Sequence, residues 1–137
     1  MMDTRQKAIA VGAGSDRAEV LVVDDDPDTL ALVEEVLAGA GFSVTATSNG
    51  EAALAHLARG YHPAAMLVDF RMSKMTGPEF LQACRADPVL ASIPAIITSC
   101  GFPSESGARD SGWFLQKPFS IDGVVAMIHK VLRTPKS

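Results

Sequence analysis

Cysteine is scarce in this chain: Cys84 and Cys100 are the two thiols among 137 residues. They form neither a disulfide framework nor a metal-ligand spacing, so the expectation is a pair of reduced thiols in a cytoplasmic protein. Long apolar runs are missing as well. No stretch approaches the ~18 apolar residues of a membrane span. Ala8-Ile9-Ala10-Val11, behind Arg5 and Lys7, is too short for the apolar part of a signal peptide. No membrane partner is expected. Positive charge is in deficit, with 12 Lys and Arg against 16 Asp and Glu, a net charge of −4. In the absence of a basic stripe, no nucleic-acid partner is expected either. Charged residues make up 20% of the chain and hydrophobic ones 47%, a balance that excludes a disordered polymer. The length suits one domain around a single core.

What the chain does have is Val20-Leu21-Val22-Val23-Asp24-Asp25-Asp26, an apolar run driven straight into three carboxylates. The β-branched stretch reads as a buried strand of a parallel sheet. Acids at its end lie at the carboxyl edge of the sheet, where α/β folds bind ligands. Two ionised carboxylates ~4 Å apart repel by about 4 kcal/mol at an effective dielectric near 20. A divalent cation relieves that repulsion, and hard oxygens select magnesium, calcium or manganese.

Other strands end in complementary groups. Ala65-Met66-Leu67-Val68 closes on Asp69, Ala95-Ile96-Ile97 on Thr98 and Ser99, and Trp113-Phe114-Leu115-Gln116 on Lys117 followed by Pro118. In a parallel sheet these groups converge. The acids would hold a metal, Asp69 would serve as nucleophile, and Thr98 and Lys117 would bind the oxygens of a transferred anion. That set describes a phosphoryl-transfer site.

Helical patterns fill the intervals. Asp26 is placed as an N-cap with Pro27 behind it, and Leu30, Val33 and Leu37 repeat at helical spacing up to Gly39 or Gly41. Asn49 opens a second helix with Ala53, Leu54 and Leu57. Pro78 opens a third with Phe80, Leu81 and Cys84, and Ser120 a last one with Ile121, Val124, Val125, Ile128 and Leu132. Alternating strands and helices specify a doubly wound parallel sheet. Two patterns are decoys. Asp24, Asp26, Asp28 and Glu35 match calcium-loop positions, but Thr29 stands where the sharp turn needs glycine. Gly12-Ala13-Gly14 lacks the third glycine of a dinucleotide fingerprint and precedes the first strand, so it reads as linker. His56, His62 and His129 are scattered and read as surface or loop histidines.

With these residues in this order, the chain resembles the receiver domain of bacterial two-component response regulators. The resemblance covers residues 20–133, and the elements that carry it are Asp24-Asp25, Asp69, Thr98 and Lys117-Pro118. It implies a flavodoxin-like five-stranded sheet of order 2-1-3-4-5. It also implies magnesium (or manganese) held by Asp25 directly, by Asp24 partly through water, by the Asp69 carboxylate and by the backbone carbonyl of Arg71. Asp69 would be the phosphoacceptor, Lys117 and Thr98 its catalytic partners, and Thr98 and Phe114 the switch pair. Arg71 and Cys100, each two residues beyond a site residue, would tune hydrolysis, with Arg71 screening the acyl phosphate. Lys117–Pro118 would be cis. The phosphodonor would be a sensor histidine kinase or a histidine phosphotransfer protein, and output would pass through contacts with a downstream protein. No enzyme activity is expected beyond the domain's own phosphorylation and dephosphorylation.

The expected layout is a flexible tail over residues 1–18, the receiver over 19–133 and a short tail over 134–137. Departures from the family pattern are Ser73 in place of a proline after Met72, and Thr76 where an acid is common before Gly77. The larger one is residues 99–111, where two Gly, one Pro and four Ser disfavour a helix. A reduced or irregular fourth helix, at most one turn, is therefore expected between strands four and five. Two other functions fit the pattern less well. A receiver-like binding module with little or no phosphorylation is one. The other is a small aspartate-nucleophile phosphatase, but Asp28 stands where that class has Thr or Val and no cap domain is apparent.

Overall fold

The computed structural model of the chain describes residues 17–100, 113–118 and 120–133. Strands β1 (Glu19–Val23), β2 (Ser43–Thr47), β3 (Ala65–Asp69), β4 (Ala95–Ser99) and β5 (Phe114–Gln116) form one sheet of order β2-β1-β3-β4-β5. All four pairings are parallel. Helices α1 (Pro27–Gly39), α2 (Gly50–Ala58), α3 (Gly77–Arg85), α4 (Pro88–Ala91) and α5 (Ile121–Arg133) fill the connections. This is the doubly wound architecture expected from the alternation of strand and helix patterns.

Side-chain alternation divides the core in two. Val20, Val22, Leu67 and Ile96 face α1 and α5, packing with Val33, Leu37, Val124, Ile128 and Val131. Leu21, Val23, Met66, Val68 and Ile97 face the other way, onto Ala53, Leu57, Phe80, Leu81 and Cys84 of α2 and α3. A sheet covered on both faces needs continuously apolar strands, as β1, β3 and β4 have. Burying each large aliphatic side chain contributes roughly 1.5–3 kcal/mol. Ile121, grouped with the apolar set of the last helix, is instead 57% exposed. It occupies the first position of α5, before the periodic face of Val124, Ile128 and Val131 begins. Ala18 packs against the α1/α5 side of the core, and its carbonyl accepts from Ser43 N–H at 2.9 Å.

Caps fix the helix starts. Asp26 accepts from Thr29 N–H, Asn49 from Ala52 N–H, and Thr76 and Glu79 exchange the two bonds of a capping box. Ser120 Oγ accepts from Gly123 N–H at 2.9 Å. Gly41 and Gly60, just past α1 and α2, both have φ of +98°, a conformation that favours glycine. The one-turn α4 begins at Asp87 and Pro88, a cap-and-proline pair like Asp26 and Pro27. It precedes β4 and is distinct from the reduced fourth helix expected between β4 and β5. That segment, over residues 101–112, lies outside the described residues, as do residues 1–16 and 134–137 of the expected tails.

Candidate functional site

Position 24 follows β1 by one residue, 69 ends β3, 98 is the fourth residue of β4, and 117 follows β5. Each lies two residues beyond an inward position on the α1/α5 side: Val22, Leu67, Ile96 and Leu115. Period-two alternation therefore sends all four side chains to one side of the sheet rim. Ladder bonds extend to these ends and stiffen them. Asp24 N–H donates to Thr47 O at 3.1 Å, Phe70 N–H to Thr98 O at 2.8 Å, and Lys117 N–H to Ser99 O at 2.7 Å. Asp69 lies opposite Thr98 in the β3–β4 register, and Thr98 opposite Leu115 in the next.

The acids meet there. Asp24, Asp25 and Asp69 each bring a carboxylate oxygen within 4.8 Å of the others. Asp24 is 4% and Asp69 8% exposed, whereas Asp25 is exposed. Lys117 Nζ donates to Asp24 Oδ2 at 2.9 Å and to Asp69 Oδ1 at 3.1 Å. Burial and the neighbouring Asp24 charge push the Asp69 carboxyl above its ordinary pKa, against the pull of Lys117. Burial works against the charge of Lys117, but its bonds to Asp24 and Asp69 outweigh it and hold the ammonium above its ordinary value. Asp69 is thus a carboxylate made uncomfortable by its neighbours, in a cluster with more negative charge than one lysine offsets. All the donors are hard oxygens, and such a set fits a magnesium-sized cation.

The other expected residues take more peripheral places. Thr98 is 3% exposed beside Asp69. Phe114 is half-buried, paired with Ile97 in the register and packed against the α2/α3 side of the core. Arg71 is exposed, its guanidinium carbon 5.5 Å from the Phe70 ring centroid. Cys100 is exposed. Lys117–Pro118 is cis, as expected.

Two residues, Ser73 and Gly77, bear on the site through contacts that the sequence pattern does not show. Ser73 N–H donates to Asp25 Oδ2 at 3.1 Å, a donor that a proline at this position would lack. Gly77 sits against the end of β3: a Cβ there would stand 2.6 Å from Asp69 O and 3.2 Å from Phe70 Cα. The available signal was glycine immediately before a helix-opening proline, next to a short loop.

A parallel α/β rim carrying an acid cluster, a terminal aspartate and a lysine defines a receiver-type signalling domain. The family described as response regulator receiver domain matches residues 20–129, and the chain belongs to it. The chain is similar to the two-component response regulator ORR11 of Oryza sativa subsp. indica, 33% identical over 132 residues, covering 91% of this chain and 87% of that one. It superimposes on chemotaxis response regulator CheY4 of Vibrio cholerae with a TM-score of 0.77 and 28% identity, covering 84% and 98% of the two chains. The receiver domain of sensor histidine kinase PA1611 from Pseudomonas aeruginosa PAO1, with a magnesium ion coordinated in its active-site cleft, matches in fold at TM-score 0.77. There the identity is 22% and the coverage 86% and 99%. Receiver domains are in general signalling modules that work with histidine kinases rather than catalysts of metabolism. Among the described residues no helix is long and apolar enough to cross a membrane.

Proposed function

We propose that Asp69 is the phosphoacceptor of this domain and takes its phosphoryl group from a phosphohistidine on a sensor histidine kinase or a histidine phosphotransfer protein. One observation carries the reading: a buried strand-end carboxylate within 4.8 Å of two further carboxylates and 3.1 Å from a lysine ammonium. In the transfer an Asp69 carboxylate oxygen forms a bond to phosphorus while the phosphorus–nitrogen bond of the donor breaks. The departing imidazole nitrogen keeps the electron pair. Asp24, Asp25 and Asp69, with the backbone carbonyl of Arg71, would hold magnesium or manganese. A cation held by them would supply neutralisation of charge on the phosphoryl oxygens. The magnesium ion in the P. aeruginosa receiver supports that assignment by analogy of fold.

Lys117 supplies a fixed point charge for the transferred group, and Thr98 a hydroxyl on the adjacent strand. The acyl phosphate adds ~1.5–2 negative charges. Lys117 would exchange its Asp69 contact for a phosphoryl oxygen, and Thr98 with Phe114 would carry the change along β4 and β5 to a downstream protein. Arg71 and Cys100 would set the lifetime of the acyl phosphate.

The test is labelling by acetyl phosphate, read by intact mass, with and without Mg²⁺. Wild type should gain one hydroxylamine-labile phosphoryl group only with the metal, and Asp69→Asn none. Equal label on Asp69→Asn would remove the nucleophile assignment. No label under any condition would favour a receiver-like binding module.

A further inference from the structure

Residues 73–75 make a tight turn between the acid cluster and the start of α2. Met75 N–H donates to Ser73 O at 2.8 Å, and Lys74 between them has φ of 73°. A two-residue-apart bond around a positive φ is a γ-turn of the rare, strained kind. A lysine stays in that conformation where its surroundings hold it. Here two contacts do, at Ser73 and Met75, with an exposed and weakly holding ion pair at Lys74 between them. Ser73 N–H donates to Asp25 Oδ2 at 3.1 Å. Lys74 Nζ lies 3.5 Å from Glu51 Oε1. Met75 covers Gly50 so closely that a Cβ there would fall 2.7 Å from its Sδ.

The turn is therefore clamped between the first residues of α2 on one side and the Asp25 carboxylate on the other. Asp25 needs such a partner more than its neighbours do. Asp24 and Asp69 are buried and share Lys117, whereas Asp25 is exposed. An exposed carboxylate samples several rotamers, and ordering it on binding weakens affinity. A hydrogen bond already in place removes part of that loss and also offsets repulsion from the other two acids.

We propose that the Ser73-Lys74-Met75 turn is a positioning clamp for Asp25, in which the Ser73 amide orients the carboxylate toward Asp24 and Asp69 and so sets the affinity of the cluster for a divalent cation. The clamp rests on the reading of that cluster as the metal site. It makes Ser73 a positioning residue that acts through its backbone, and Gly50 the seat that lets the turn close.

Calorimetric titration of the full chain with MgCl₂ tests it. Ser73→Ala keeps the amide and should match wild type, while Ser73→Pro lacks it and should bind roughly tenfold more weakly. Equal or tighter binding by Ser73→Pro would overturn the clamp, as would a loss in Ser73→Ala matching that in Ser73→Pro. Because proline also alters the turn itself, a second measurement uses the unsubstituted protein. The Ser73 amide should be protected from exchange without metal, and its NMR shift should move on Mg²⁺ addition with the calorimetric midpoint. A rapidly exchanging Ser73 amide indifferent to Mg²⁺ would also overturn it. No Mg²⁺ binding by wild type would remove the metal site, and the clamp with it.

Discussion

At the scale of single residues, Asp69 and Lys117 pull stability in opposite directions: the lysine is held charged by its two carboxylate bonds, whereas the Asp69 carboxyl is not favoured in its charged form. Asp69 has a native pKa raised by burial and by Asp24, so the folded state disfavours its ionised form. A group raised in this way contributes stability below its unfolded pKa and loses it as pH rises through the folded value. Asp69→Asn should therefore shift the urea midpoint of the metal-free protein upward at pH 7, and the gain should vanish below the carboxylate range. An unchanged or lower midpoint at pH 7 would mean that Lys117 compensates Asp69 more fully than the geometry indicates. Cys84 titrates at the other end of the scale. It is 2% exposed, and burial pushes its thiol up to about 11 from an ordinary 9.0. The unfolded chain then releases this proton first, so stability should fall between pH 9 and 11 by roughly 2–3 kcal/mol. Urea titrations across that window should show a shallower pH slope in Cys84→Ala, whatever its offset at neutral pH.

Elements hold these residues in place through their ends more than their middles. Gly77 is the clearest case. A methyl group there would press on Asp69 O and Phe70 Cα, backbone atoms with nowhere to go. Gly77→Ala should lose ~1–3 kcal/mol, as overpacked sites do, and should also slow phosphorylation by displacing the Asp69 strand end. Gly39, with nothing within 4 Å of its would-be Cβ, is the control. Gly39→Ala should be stabilising by up to ~1 kcal/mol on helix propensity. Thermal melts of the pair should move in opposite directions. The caps Asp26, Asn49 and Ser120 were plain in the sequence because capping is local: each satisfies an amide three residues on, as Thr76 also does without being legible there as a cap. The crowding at Gly77 was not, because it depends on how closely α3 is drawn against β3.

For the molecule as a whole, the parallel sheet stacks its charges at one rim while the two apolar faces supply the stability. A ligand that binds the native rim and not the unfolded chain adds to that stability by mass action. With Mg²⁺ at ten times its dissociation constant, unfolding should cost ~1.4 kcal/mol more than in chelator. Asp25→Ala should abolish most of that increment, since it removes a cluster oxygen without touching the core. A melting temperature unmoved by Mg²⁺ would sink the metal site.

Apart from the one-turn α4 and the Thr76 cap, the succession of strands and helices, their caps and the chemistry at each strand end were legible in the amino-acid sequence. Those properties are written in local periodicity and residue type, which act over a few positions. The sequence also placed Asp24, Asp25, Asp69 and Lys117 in one site, because parallel strands bring their carboxyl ends to a common rim. Which partners those groups take depends on packing: Lys117 bridging Asp24 and Asp69, the Ser73 amide on Asp25, and Met75 seated on Gly50. The exposure of Ile121 has the same origin. Its spacing fits the buried face of α5, but burial depends on where the helix ends relative to the sheet. The contacts of Lys117, Ser73 and Met75 join residues 25 to 93 positions apart in sequence, across distances set by packing density, and no local pattern encodes them.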